Sequence, residues 1–145
     1  MAQVIYTTLI DKIKSTLESV SNIKLIKAYP TSKLDNTYPA AIFYPVTIEN
    51  EYMSSQEDFR IYNFKLWLVV NANQVTKSEL YETILPNTVD AVLEQFADDW
   101  NVNAIDGHRV WMKIDSGNWG LSKDTAGEEA FAEFNIQIKL STNIN

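Results

Sequence analysis

Apolar residues recur at every second position through residues 59–73, and the rest of the chain is organised around this stretch. Tyr62, Phe64, Leu66, Leu68 and Val70 fill the even positions; Ile61, Asn63, Lys65, Trp67 and Val69 fill the odd ones. A period of two, rich in aromatic and β-branched residues, is the pattern of a β-strand. The even face is wholly apolar and needs a cover. The odd face is mixed and suits a surface that is partly wet or partly bound. Mid-chain between two helical patterns, this strand is expected in the middle of a sheet.

In residues 3–20 the apolar positions are Ile5 or Tyr6, Leu9, Ile13, Leu17 and Val20, which is helical spacing. Asp11, Lys12, Lys14 and Glu18 fall opposite. Residues 24–29 read as a short strand ended by Pro30. Residues 38–48 are β-branched and aromatic but hold Pro39 and Pro45. Proline has no amide to give to a ladder, so this strand is expected at an edge or broken by a bulge. The acidic residues 49–58 read as a turn or a long hairpin tip.

A second helix is expected from Thr76. Thr76 and Glu79 have capping-box spacing, and Val75 with Leu80 could form the accompanying hydrophobic staple. Its stripe runs Tyr81, Ile84, Leu85, Val89, Val92, Leu93, Phe96 and Trp100, with Trp100 read as core. Pro86 lacks an amide and crowds the carbonyl of Glu82, so a kink or break is expected there. Asp98 and Asp99 oppose the helix dipole and mark the fraying end. Asp106-Gly107 signals a tight turn, followed by a strand at 108–114 with Val110, Met112 and Ile114 on one face. Residues 115–129 hold three of the four glycines and read as a mobile loop that orders on assembly. Residues 130–140 alternate again, with Ala132, Phe134, Ile136, Ile138 and Leu140 against Glu133, Asn135, Gln137 and Lys139.

The element order α-β-β-β-α-β-β implies a single α+β domain over residues 1–145. Its sheet is mostly antiparallel and twisted, with two helices packed on one face. The helices would cover Phe64, Leu66, Leu68, Phe134, Ile136 and Ile138. The opposite face carries Trp67, Val69, Trp111 and Phe131 among Asn63, Lys65, Arg109, Lys113 and Glu133. A mixed solvent face, or burial under residues 115–129, would account for that composition. So would an interface, whose centre is typically aromatic within a polar rim. The interface candidates are Trp67, Trp111 and Phe131, with Trp119 and Leu121 as anchors from the loop.

Composition narrows the function classes. At 145 residues and 46% hydrophobic, the chain can bury one ordinary core. A net charge of −7 argues against general affinity for DNA or anionic membranes. The absence of cysteine excludes disulfides and thiolate metal sites. The longest apolar run, residues 66–70, is too short to span a bilayer. The N-terminus lacks the basic-then-apolar order of a signal peptide, so a soluble intracellular protein is expected.

Candidate chemistry is sparse. His108, the single histidine, reads as a strand-end residue beside a turn; Asp106 lies two positions away with no nucleophile nearby. Glu49/Glu51, Glu57/Asp58, Asp98/Asp99 and Glu128/Glu129 are acid pairs that could do proton transfer or hold a hard cation. They fall in loops and at a helix end, where solvated charge is the ordinary outcome. Gly117 and Gly120 flank Asn118-Trp119 without forming a phosphate loop. The tryptophans lack the basic groove that base stacking needs. No catalysis, cofactor or metal is therefore expected.

In its order of elements the chain resembles the tail terminator family of long-tailed bacteriophages. The likeness lies in the N-terminal helix leading to a short strand and in the strand holding Tyr38, Pro39, Tyr44 and Pro45. It continues through the long strand at 59–73, the helix from Thr76 and a closing pair of strands around a long loop. It covers nearly the whole chain and rests on pattern and order, with no signature motif. The resemblance implies a hexameric ring that caps the tail tube, ends its polymerisation and presents a surface to the head connector. It implies three partners: further copies of the chain, the tail tube protein and the head connector protein. DNA would pass through without sequence-specific binding, which suits an acidic chain, and no membrane would be involved. Localisation would be the virion tail or neck, after assembly in the host cytoplasm. Within the same class, a head–tail connector or neck protein is the alternative. From another class, a small-ligand-binding or hydrolytic α+β domain would show a concave pocket with converging polar groups.

Overall fold

The computed structural model describes residues 5–30, 39–52, 57–71, 80–105, 108–124 and 127–143. Helix α1 (Ile5–Glu18) is followed by strands β1 (Leu25–Lys27), β2 (Ala40–Tyr52) and β3 (Glu57–Asn71). A single π-helical turn (Leu80–Ile84) runs into helix α2 (Leu85–Asp98), and β4 (Asn101–Ile105), β5 (His108–Asp124) and β6 (Gly127–Asn143) close the chain. The strands form one sheet in the order β1-β2-β3-β6-β5-β4. The fold is α+β, with a mostly antiparallel sheet and two helices on one face.

The long alternating strand sits where its pattern placed it. β3 pairs antiparallel with β2 on one side and β6 on the other. Tyr62, Phe64, Leu66, Leu68 and Val70 are all buried, together with Ala132, Phe134, Ile136, Ile138 and Leu140 of β6 and Val110 and Met112 of β5. Against them α1 packs Leu9, Ile13 and Leu17, and α2 packs Leu85, Val89, Val92 and Phe96. Tyr6 of α1 stacks on Phe64 at 6.1 Å between ring centroids, and Phe43 meets Phe64 edge-on at 6.4 Å. Burial also pushes the Tyr6 hydroxyl above its ordinary pKa. Each such aromatic side chain removes a large apolar area from water, and ring pairs add about 0.5–1.5 kcal/mol beyond that burial.

The two prolines act as their chemistry requires. The β2–β3 register slips between Pro45 and Thr47, so Val46 forms a bulge. β1 covers β2 at Ala40–Ile42 and no further. Past that point β2 is an edge among the described residues, which is where a proline is tolerated. Pro86 is the second residue of α2, immediately after the π-turn. The wider turn relieves the clash with the carbonyl four residues back, and the missing amide falls in the first helical turn, where it has no partner to lose. The Thr88 hydroxyl donates to the Ile84 carbonyl at 2.7 Å. The helix ends at Asp98, where the Asp99 amide donates to the Gln95 carbonyl at 3.0 Å.

Four expectations are corrected. β1 runs parallel to β2, so the first strand pair is not an antiparallel hairpin. A further strand, β4, precedes the turn at 106–107 and pairs Ile105 with His108 across it. Residues 115–129 are not a loop. β5 continues to Asp124 and β6 begins at Gly127, paired from Ser116–Asn135 to Asp124–Gly127. β6 amides and carbonyls need partners along their whole length, and the glycine-rich segment supplies them. Trp100 is not core: it is 51% exposed, because the chain leaves the helix at Asp98 and the stripe loses its phase. Thr76, Glu79 and Val75 of the expected cap and staple, and the Asp106-Gly107 turn, lie outside the described residues.

Candidate interaction face

The sheet face opposite the helices is assembled from the odd positions of β3 and their neighbours in register. Trp67 pairs with Glu133 and Val69 with Phe131 between β3 and β6. Trp111 of β5 pairs with Lys139, which pairs with Ile61. Trp67, Trp111 and Phe131 therefore share one face, as their spacing predicted. Trp119 and Leu121 do not join them by register. They stand opposite Ala132 and Ala130, two buried positions of the helix-covered face. The bulge at Asp115, between Ile114 and Ser116, causes the change of phase.

Two aromatic clusters occupy opposite ends of this face. At the first, the Trp67 and Phe131 rings lie 4.7 Å apart, and the Trp67 Nε1–H donates to the Tyr44 hydroxyl at 3.1 Å. Ala40, Ile42 and Val69 are buried beneath them, forming a small second core on β1, β2, β3 and β6. At the second, Phe59 and Trp111 lie 6.2 Å apart. The Lys139 ammonium sits 4.4 Å above the Phe59 ring and the Arg109 guanidinium 5.7 Å from the Trp111 ring. Both rings are half-buried, so the negative ring faces attract these cations in a partly dry setting. Glu133 and Lys139, the rows of the two tryptophans, are six residues apart along β6, which places the clusters about 20 Å from one another.

The ground between them is polar. Lys65 forms an ion pair with Glu133. The hydrogen bond to Glu133 holds the Lys65 ammonium above its ordinary pKa, against a smaller opposing effect of desolvation. The Asn63 amide donates to Thr47 at 2.9 Å and to Glu49 at 2.8 Å, and the Asn135 amide donates to Ser116 at 2.9 Å. With residues 115–124 built into β5, burial of this face beneath a folded-over loop no longer accounts for its aromatic content.

The helices also fail to span the sheet. β5 and β6 have 17 residues each, about 55 Å if fully extended. α1 and α2 have 14 residues each, about 21 Å. The hairpins therefore run on past the helix layer. Between α2 and the β5 bulge lies a shallow cleft of about 300 Å³, floored by Val89, Leu93, Ile114 and Phe134 and edged by Asp115, Ser116 and Asn118. Its size is at the small end for a ligand site.

The candidate chemistry does not converge. His108 opens β5 opposite Ile105, while Asp106 lies outside the described residues. Among the described residues, no group of three or more His, Asp or Glu side chains could hold a metal ion. None of the described helices is long and apolar enough to cross a membrane.

No family model and no curated protein matches the chain. One solved structure, designated by a serial number alone, is 10% identical and overlays 90% of this chain and 94% of its own, at a TM-score of 0.36. An overlay at that score carries no argument about function.

Proposed function

We propose that this chain is a structural ring protein of a phage tail, of the tail terminator kind. The observation that supports it is the uncovered sheet face, with its two half-buried aromatic clusters and polar middle. Aromatic anchors inside a polar rim are the ordinary make-up of an interface centre. Hairpins longer than the helices that cover them supply further surface for neighbours on either side. In this reading Trp67, Trp111 and Phe131 pack against a second subunit. The ring caps the tube, stops its growth and passes DNA through an acidic lumen to which DNA does not adhere. No residue is assigned a catalytic role, and no cofactor is needed.

The test is assembly. Purified protein added to growing tail tubes from the same phage should stop elongation and leave a ring on the tube end in electron micrographs. Tubes that grow past it unchanged, with no ring bound, would overturn the proposal. Under the same reading His108→Ala should leave capping intact; its loss in a folded variant would point to chemistry instead.

A further inference from the structure

We infer that the Trp111 end of the uncovered sheet face is a docking surface for the outer face of α2 from a second copy of this chain. The inference deepens the ring reading above and rests on it. It starts from charge. The chain has 12 basic and 19 acidic residues. Yet Arg109, Lys113 and Lys139 all lie on this end of the sheet face, beside Phe59 and Trp111. Arg109 and Lys113 are exposed. The one described acid in contact with them is Asp115, 3.8 Å from Lys113. The surface is thus locally cationic and aromatic on an acidic protein.

The matching surface is the outer face of α2. Its three charged residues, Asp90, Glu94 and Asp98, are all acidic and all exposed. They recur at every fourth position and so form one straight row, about 6 Å apart along the axis. Like charges at this spacing repel, and acids in the last turns oppose the helix dipole. No ion pair to them occurs among the described residues. In the isolated chain the row is therefore an unrelieved cost to the helix. Beside it runs a second row, Leu93, Ala97 and Trp100, all exposed; Leu93 is 38% and Trp100 51% accessible. An acidic row flanked by apolar side chains is complementary to cations flanked by aromatic rings.

The two surfaces lie on opposite sides of the sheet, since α2 packs on one face and Trp111 stands on the other. One chain cannot bring its own pair together. The contact is therefore head-to-tail between copies, the kind that closes into a ring when the rotation permits.

Charge reversal tests this directly. Variant one is Arg109→Glu with Lys113→Glu; variant two is Asp90→Lys with Glu94→Lys. All four positions are exposed, so both variants should give wild-type circular dichroism. Sedimentation across concentration and salt is the readout. Wild type should self-associate, less as salt rises, and each variant alone should associate at least about tenfold more weakly. An equimolar mixture should recover association, because each variant's helix then meets the other's sheet face with opposite charge. Variants that associate as wild type does would overturn the docking inference. So would a mixture that stays monomeric, or a wild type that is monomeric at every concentration. Capping of tube ends is scored separately: capping with no charge effect would leave the ring reading standing and locate the contact elsewhere.

Discussion

At the scale of single residues, two positions carry unusual constraints. Gly117 faces Phe134 across the β5–β6 ladder. A Cβ built there would stand 2.5 Å from Phe134 Cδ1 and 3.3 Å from the Glu133 carbonyl oxygen. The Phe134 ring occupies the space a side chain would take, over a core position that is 6% exposed. Gly117→Ala should therefore force the ring to shift and cost about 1–3 kcal/mol in denaturant unfolding. Thr16 is the opposite case. It is 1% exposed, and its hydroxyl has no hydrogen-bond partner. An unpaired buried hydroxyl carries a desolvation cost, so the isosteric Thr16→Val should raise stability by about 1 kcal/mol, read from the same unfolding curves. Neither constraint is legible from sequence. Gly117 read as part of a mobile loop and Thr16 as one polar position among several on α1; each depends on what packs against it.

At the scale of elements, α2 is held by its buried row of Leu85, Thr88, Val89, Val92 and Phe96. Its charges work against it. Asp98→Lys should stabilise the isolated chain by about 0.3–1 kcal/mol, through the dipole and a new favourable pairing with Glu94. The same change should weaken self-association. A rise in melting temperature together with weaker association is the expected pair of results; a fall in both would show that the acidic row serves folding instead. β2 shows how local chemistry protects an edge. Pro45 and the bulged Val46 interrupt the strand where β1 no longer covers it, which discourages open-ended strand addition. Both features were foreseeable from proline's missing amide. β4 was not: Asn101 and Asn103 dilute its pattern, and it is a strand because β5 offers it a ladder.

At the scale of the whole molecule, the sheet separates a dry side from a half-covered side. Removing the two aromatic anchors of the half-covered side should act on assembly more than on folding. Trp67→Ala and Trp111→Ala should each lower association by about 2 kcal/mol, measured by light scattering on variants that retain wild-type circular dichroism. Trp67 also caps the small core over Ile42 and Val69, so its replacement should lower the melting temperature more than that of Trp111. If both variants assemble as wild type does, the contact lies on the edge strands.

Sequence periodicity alone determined the α+β class, the central place of the long strand, the residues of the main core and the face shared by Trp67, Trp111 and Phe131. Alternation and helical spacing are local properties, set by where successive side chains point along a strand or helix. Tertiary structure decided what depends on a neighbour. Pairing with β6 turned residues 115–124 into a strand, and the bulge at Asp115 put Trp119 and Leu121 in register with the opposite face. The helix ended before Trp100 and left it exposed. The length of β5 and β6 against that of the helices left one face uncovered. A residue pattern records which side of an element is apolar; what covers that side is settled only when the other elements have packed.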